Sequence, residues 1–142
     1  MRIADVLRNK GSAVATISPD MTVAELLAGL AKLNIGAMVV VDADAVLGIV
    51  SERDVVRQLH EQGADLLMQP VSLIMTTVSV TCTPRDAVDS LSGLMTENRV
   101  RHVPVIEEGR LAGIVSIGDV VKTRMDELNS EREQLHTYIT RG

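Results

Sequence analysis

Aromatic residues are nearly absent from this chain of 142 residues, which has no Trp, no Phe and one Tyr. A flat ligand would therefore be held by aliphatic side chains, and the aromatic platforms that bind single-stranded nucleic acids are disfavoured. The net charge of −5 also disfavours a broad DNA-binding face. We therefore expect no nucleic-acid polymer among its partners.

Cysteine and long apolar runs are scarce too. Cys82 is the single cysteine, so no internal disulfide can form, and the N-terminal residues do not resemble a signal peptide. The longest apolar run, Ala37–Val41, is far short of the roughly 20 residues that span a bilayer. These absences predict a cytoplasmic protein that does not insert into membranes.

The usual catalytic and metal-binding patterns are missing as well. The three histidines are scattered without the spacing of metal ligands, so we expect no metal site. No Cys–His pair, clustered carboxylates or Ser with a recognisable His base occurs, so we expect no catalytic residue and no enzymatic activity.

What the chain does contain is an internal repeat. An offset of 65 residues places Thr16–Arg57 on Thr81–Lys122 without a gap, and twelve positions are identical. The densest match is Gly-Ile-Val-Ser-x-x-Asp-Val-Val, at Gly48–Val56 and Gly113–Val121. A short segment of weaker sequence similarity precedes each copy. The repeat predicts two copies of one structural unit.

Each unit is predicted to run β-α-β-β-α, an α/β (α+β) fold. The capping box Thr22–Glu25 predicts a helix to about Leu33. The predicted strands are Val14–Ile17, Ala37–Asp42 and Leu47–Ser51, then Val78–Cys82, His102–Glu107 and Leu111–Ser116. The other predicted helices are Glu52–Gln62, Asp86 or Ala87 to Asn98, and Gly118 to about Thr140.

The unit, with Gly-h-h-Ser-x-x-Asp at its third strand, resembles the CBS (cystathionine-β-synthase) domain. Two in tandem resemble a Bateman module of the stand-alone bacterial type. Ile74–Thr76 and Arg101–Val105 add to the resemblance. It implies two repeats packed about a pseudo-twofold axis. We divide the chain into a first repeat with its lead-in helix (1–63), a second repeat with its linker and lead-in (64–123) and a helical extension (124–142).

The resemblance also implies two clefts between the repeats that bind adenosine ligands such as AMP, ADP, ATP or NAD(H), with no other cofactor required. The motif Asp would accept hydrogen bonds from the ribose hydroxyls, and the motif Ser would reach ribose or phosphate. The first cleft would be formed by Ile49, Ser51, Arg53, Asp54, Thr77, Val100, Arg101 and His102. The second would be formed by Ser12, Ile35, Gly36, Ala37, Ile114, Ser116 and Asp119.

Physical chemistry favours this use of the motif, because a strand-to-helix junction presents backbone N–H groups and Asp is a double acceptor. The Ser-x-x-Asp pairs also have the form of capping boxes, and both roles can coexist. The clefts are expected to be unequal. Arg53, Arg101 and His102 gather at the first, whereas glycines and Ala37 stand at the corresponding places of the second.

The predicted function is that of a homodimeric regulatory module that senses energy or redox state. Ligand binding would change the arrangement of the repeats. Because the chain leaves no room for an effector domain, a separate effector protein would read that state in trans. The alternative is a module for protein interaction or dimerisation that binds no ligand.

Overall fold

The computed structural model describes residues 1–11 and 13–141. Its helices and strands follow the order α1 (Ile3–Lys10), β1 (Thr16–Ile17), α2 (Val23–Leu33), β2 (Ala37–Asp42), β3 (Ala45–Ser51), α3 (Glu52–Gln62), β4 (Thr76–Thr77), α4 (Val88–Asn98), β5 (His102–Glu107), β6 (Arg110–Ser116) and α5 (Ile117–Arg141). Two short 3₁₀ helices, Gly63–Met68 and Val71–Leu73, lie between α3 and β4.

The two repeats have the same sheet register. In the first, β2 pairs with β3 antiparallel from Ala37 opposite Ser51, with an irregularity after Val40. In the second, β5 pairs with β6 from His102 opposite Ser116, with the same irregularity after Val105. Since both copies share the offset of 65 residues in sequence and in register, the predicted duplication is confirmed.

Local signals explain most helix boundaries. Thr22 Oγ1 accepts a hydrogen bond from Glu25 N at 3.2 Å, so α2 begins where the capping box predicts. Gly63, with φ of 68°, ends α3. In the second repeat Ala87 occupies the N-cap position without a side-chain cap.

The predicted first strands are shorter in the structure. Val14–Ile17 reduces to β1, which pairs with β2 in parallel, and Val78–Cys82 reduces to one bridge between Cys82 and Val105. Proline explains the second difference. In the first repeat Val39 N donates to Ala15 O at 3.1 Å, but the residue at the position of Val39 in the second repeat is Pro104, which has no N–H.

The hydrophobic core forms two clusters. Each cluster contains residues from the lead-in of the other repeat, which is the segment that precedes that repeat in sequence. Ile3, Val6 and Leu7 of α1 pack with the second repeat, against buried residues that include Leu91 and Val103. The segment before β4 packs with the first repeat, through Leu66, Val71 and Ile74. The sequence-based division at residues 63 and 123 stays a prediction, whereas the packing ties each lead-in to the opposite repeat.

Matched backbone hydrogen bonds fix this exchange. Ala4 N donates to Pro84 O at 2.9 Å, and Ser72 N donates to Pro19 O at 3.1 Å. Ile3 N and Val71 N bond to Asp86 O and Met21 O in the same relation. The lead-ins are therefore related by an offset of 68 residues, and the repeats by 65.

Candidate functional site

A cavity of about 460 Å³ lies between the two repeats. This volume is within the range of about 300–1,000 Å³ that small-molecule sites occupy. Both repeats contribute to its lining: Gly36, Ile49, Ser51, Glu52, Arg53, Asp54, Arg57, Thr76, Thr77, Val78, Ser79, Val80, Arg99, Val100, Arg101, His102, Pro104, Ser116, Ile117 and Gly118.

All eight residues predicted for the first cleft line this cavity. The end of β3 and the first turn of α3 supply Ile49, Ser51, Arg53 and Asp54, and the second repeat supplies Thr77, Val100, Arg101 and His102. The two sets are brought together because β4 pairs with β3 in the first repeat's sheet and β5 begins on the opposite wall. Residues 23 or more positions apart in sequence therefore face one space.

Asp54 caps α3 and faces the cavity with the same carboxylate. Its Oδ2 accepts hydrogen bonds from Ser51 N at 2.8 Å and Ser51 Oγ at 3.1 Å. Oδ1 has a weak contact with Thr76 Oγ1 at 3.5 Å. The capping role is thus present at Oδ2, and Oδ1 retains acceptor capacity for a ligand hydroxyl.

Four arginines line the same cavity as this carboxylate. Arg53 and Arg57 come from α3, and Arg99 and Arg101 come from the segment before β5. Sequence reasoning identified Arg53 and Arg101 and missed the other two. Arg57 follows Arg53 by one helical turn, so the helical period was the signal for it. Arg99 ends α4 with φ of 55°, a conformation that sequence pattern does not reveal.

His102 stands on the wall between the two motif aspartates. Burial lowers its pKa below the ordinary value, and the charges of Lys10 and Arg101 lower it further. Asp119 and Asp54 act in the opposite direction without reversing the shift. At neutral pH the imidazole is therefore neutral, and it offers one N–H donor and one acceptor.

Two of the residues predicted for the second cleft line this same cavity. Gly36 and Ser116 line the cavity already described, whereas Ile35, Ala37, Ile114 and Asp119 are not among its lining residues. Ser12 falls outside the described residues. The second cleft and its inequality with the first therefore stay predictions.

Asp119 has the same cap as Asp54 and a different partner. Its Oδ2 accepts from Ser116 N at 2.8 Å, and Ser116 Oγ accepts from Asp119 N at 3.1 Å. Lys10 Nζ lies 2.6 Å from the same Oδ2. Burial raises the pKa of Asp119, but hydrogen bonds from Lys10 and Ser116 and the Lys10 charge outweigh it and hold the pKa below its ordinary value.

Two other features bear on the class of site. No group of three His, Cys, Asp or Glu side chains suited to a metal ion occurs within residues 1–11 and 13–141. In the same part of the chain, no helix combines the length and apolar character needed to cross a bilayer.

Known proteins resemble the chain over nearly its whole length. The CBS domain profile matches residues 3–61 and 71–126. The mitochondrial CBS domain-containing protein CBSX3 of Arabidopsis thaliana is 37% identical over 149 residues, which cover 99% of this chain and 72% of that protein. The crystal structure of a CBS-domain-containing protein from Agrobacterium tumefaciens is 49% identical with a TM-score of 0.84, covering 87% and 99% of the two chains.

A further solved structure is that of a CBS domain protein from Pyrobaculum aerophilum complexed with AMP. It is 26% identical, with a TM-score of 0.74, and the match covers 84% of this chain and 89% of that one. The matched segments coincide with the two repeats seen in sequence, register and hydrogen bonding. The chain therefore belongs to the CBS-domain family and carries two CBS domains in tandem.

Proposed function

We propose that the chain is a regulatory module that binds one adenosine nucleotide in the cavity formed by Ser51, Asp54 and the arginines. The observation that carries the proposal is the combination of an available carboxylate oxygen with four guanidinium groups in one cavity. A ribose diol donates to a carboxylate, and guanidinium groups bind phosphate through paired donors. A nucleotide presents both groups at once.

The remaining walls suit an adenine ring. Ile49, Val78 and Val100 are aliphatic lining residues, so they would hold the base by dispersion. Neutral His102 and the Ser51 hydroxyl add groups that can each donate and accept a hydrogen bond. AMP is the first ligand to test because the related Pyrobaculum protein is complexed with AMP.

Ligand binding would act on the arrangement of the repeats, because the cavity walls belong to both. A nucleotide that bridges Asp54 of one repeat and Arg101 of the other adds contacts between them. The equilibrium between arrangements shifts only as far as the ligand binds them unequally, and about 1.4 kcal/mol corresponds to a tenfold shift. We propose that an effector protein reads this state, in the cytoplasm, and that the chain itself performs no catalysis.

The proposed assembly is a homodimer. Apolar side chains on α3 and α5 remain exposed in one chain, including Val56 at 66%, Val121 at 52% and Leu128 at 60%. Helix faces of this kind are suited to self-complementary contact about a twofold axis. Dimerisation without ligand binding is the competing function.

The test compares AMP with adenosine in calorimetric titrations of wild-type protein and the Arg101→Ala variant. Loss of a charge-assisted hydrogen bond is expected to cost AMP about 1–3 kcal/mol and to change adenosine binding much less. Arg110→Ala is the matched control, because Arg110 is exposed at the start of β6 and does not line the cavity. Equal losses for AMP and adenosine, or wild-type protein that binds neither, would contradict the proposal.

A further inference from the structure

The second motif aspartate is already bound by a side chain of the same protein. Lys10 Nζ donates to Asp119 Oδ2 at 2.6 Å and to Ile114 O at 2.9 Å. Both acceptors belong to residues of the predicted second cleft. The Lys10 and Asp119 side chains are only 33% and 22% exposed, so water screens this ion pair less than a surface pair.

The position of Lys10 follows from a break in the repeat symmetry. The lead-ins correspond with an offset of 68 residues. A Cβ built on Gly113 would meet Leu7, and one built on the equivalent Gly48 would meet Met75, which lies 68 residues after Leu7. Lys10 therefore corresponds to Val78, a lining residue of the first cleft. The first lead-in remains helical to Lys10, whereas the second leaves its 3₁₀ helix at Leu73 and enters β4.

We propose that Lys10 is an internal occupant of the second cleft that limits the chain to one adenosine ligand. The ammonium bonds to Oδ2, which also accepts from Ser116 N, and it takes the Ile114 carbonyl that a ligand hydroxyl or amine would use. Its charge also neutralises the carboxylate that a ribose hydroxyl would approach. A neutral ribose that displaced it would separate an ion pair and leave a lysine without its partners. The inference rests on the proposed function, since it treats the second motif as a site of the same chemistry.

The first cleft has no such obstacle. Val78 carries no charge, and Asp54 Oδ1 has only the weak Thr76 contact among the described residues. The arginines that accompany Asp54 are absent from the second motif, where Gly118 and Gly36 stand in place of Arg53 and Arg101. The missing arginines and the bound ammonium should both weaken nucleotide binding at the second motif.

The experiment is a calorimetric titration of wild-type protein and Lys10→Met with AMP, adenosine and S-adenosylmethionine. Wild-type protein is expected to bind one equivalent of its preferred ligand per chain. Lys10→Met is expected to gain a second site for at least one of the three, with an affinity improved by about tenfold or more. Lys10→Arg keeps the cation and should remain at one site. Lys32→Met removes a charge from the exposed end of α2 and should leave the stoichiometry unchanged.

Each outcome decides between the two proposals. Wild-type protein that binds two equivalents, or Lys10→Met that still binds one of every ligand, would overturn the role of Lys10 and leave the proposed function standing. A Lys10→Met protein that loses a site present in the wild type would make Lys10 a ligand contact and also overturn it. A second site in Lys10→Met without any binding by the wild type would overturn the proposed first site alone. No binding by either protein would overturn both.

A second measurement covers the case in which Lys10→Met does not fold. In wild-type protein, the NMR signal of the Lys10 ammonium should move much less on saturation with AMP than the signals of Arg101 and His102, because the ligand occupies the other cleft. A shift of that signal as large as those of Arg101 and His102 would contradict the inference.

Discussion

At the scale of single residues, the motif aspartates share one hydrogen bond and differ in another. Asp54 and Asp119 each use Oδ2 to accept the Ser N–H at 2.8 Å, which caps the following helix. What differs is the third partner. Thr76 approaches Asp54 weakly, whereas Lys10 binds Asp119 as an ion pair. The two carboxylates therefore lie in different charge environments although their motifs are identical.

The titration of His102 is expected to depend on Lys10. Burial lowers the pKa of this imidazole, and the Lys10 charge contributes to the lowering. Lys10→Met should therefore raise the midpoint of the His102 ring signal in an NMR pH titration, toward the ordinary value of about 6.5. A midpoint that Lys10→Met leaves unchanged would show that the ammonium does not lie near the imidazole.

The lowered pKa of His102 makes the stability of the folded protein depend on pH. Because the folded state favours neutral His102, its contribution to stability is present above the unfolded pKa of about 6.5. That contribution is lost as the pH falls toward the lowered pKa of the folded state. Lys10→Met should reduce this part of the pH dependence of unfolding.

Cys82 is expected to be inert in the folded protein. Its side chain is 3% exposed, and burial, with a smaller effect from the Asp86 charge, raises the pKa of the thiol to about 12. Since the thiolate is the reactive form, a disulfide reagent at pH 8 should react only when urea unfolds the chain. Rapid reaction of native protein, followed by absorbance, would contradict the burial of Cys82.

At the scale of elements, the repeats differ where the backbone lacks a donor. Pro104 takes the place of Val39, so the bond that Val39 N makes to Ala15 O has no counterpart at Val80. The segment before Cys82 instead contributes Val78, Ser79 and Val80 to the cavity wall. The loss of strand thus coincides with the gain of a lining segment.

Two equivalent glycines provide an element-scale test. A Cβ on Gly48 would lie 2.7 Å from Thr76 O, a backbone atom held by the pairing of β3 with β4, whereas one on Gly113 would meet the end of the Leu7 side chain at 2.6 Å. Gly48→Ala should lower the free energy of unfolding by about 1–3 kcal/mol. Gly113→Ala should cost less, because a side chain moves more easily than a strand.

Urea unfolding followed by far-UV circular dichroism measures both free energies, since the chain has no Trp to report by fluorescence. Gly48→Ala should also weaken AMP binding, because Thr76 and Thr77 line the cavity. Equal destabilisation by the two variants would contradict the rigid approach of β4 to Gly48.

The sequence predicted this architecture well because the repeat fixes which residues correspond. Helix α2 and strands β2 and β5 lie where the pattern predicted them, and the eight residues that the family resemblance implied for the first cleft line one cavity. The pattern could not predict the role of Lys10, because the contact of Lys10 with Asp119 depends on the packing of α1 against the second repeat. Arg99 likewise depends on the left-handed end of α4.

At the scale of the whole molecule, exchange of the lead-ins joins the two repeats. The second repeat's cluster contains Ile3, Val6 and Leu7 from the start of the chain, and the first repeat's cluster contains Leu66, Val71 and Ile74 from the segment before β4. Each repeat therefore completes its core with the lead-in of the other. We therefore expect the repeats to unfold together and the cavity between them to be a stable feature.

The exposed apolar faces predict the oligomeric state. Wild-type protein should have twice the 15.3 kDa chain mass by light scattering coupled to size exclusion. Leu128→Asp places a charge on the α5 face and should shift the mass toward one chain. Asn129→Asp adds the same charge one residue later, at an exposed polar position, and should remain dimeric. A monomeric wild-type protein would contradict the proposed assembly.

Calorimetric titration of AMP into Asp54→Ala and Asp119→Ala distinguishes a nucleotide bound at Asp54, which we expect, from one bound at Asp119. Both variants remove a bond of 2.8 Å from a Ser N–H, at a cost of about 0.5–2 kcal/mol. Asp119→Ala also removes the Lys10 ion pair, so a general loss of stability would not spare that variant. Asp54→Ala should lose most of its AMP affinity, while Asp119→Ala should retain the wild-type affinity and one site per chain. Equal losses of AMP affinity in the two variants, or a loss confined to Asp119→Ala, would show that the nucleotide does not bind at Asp54 alone.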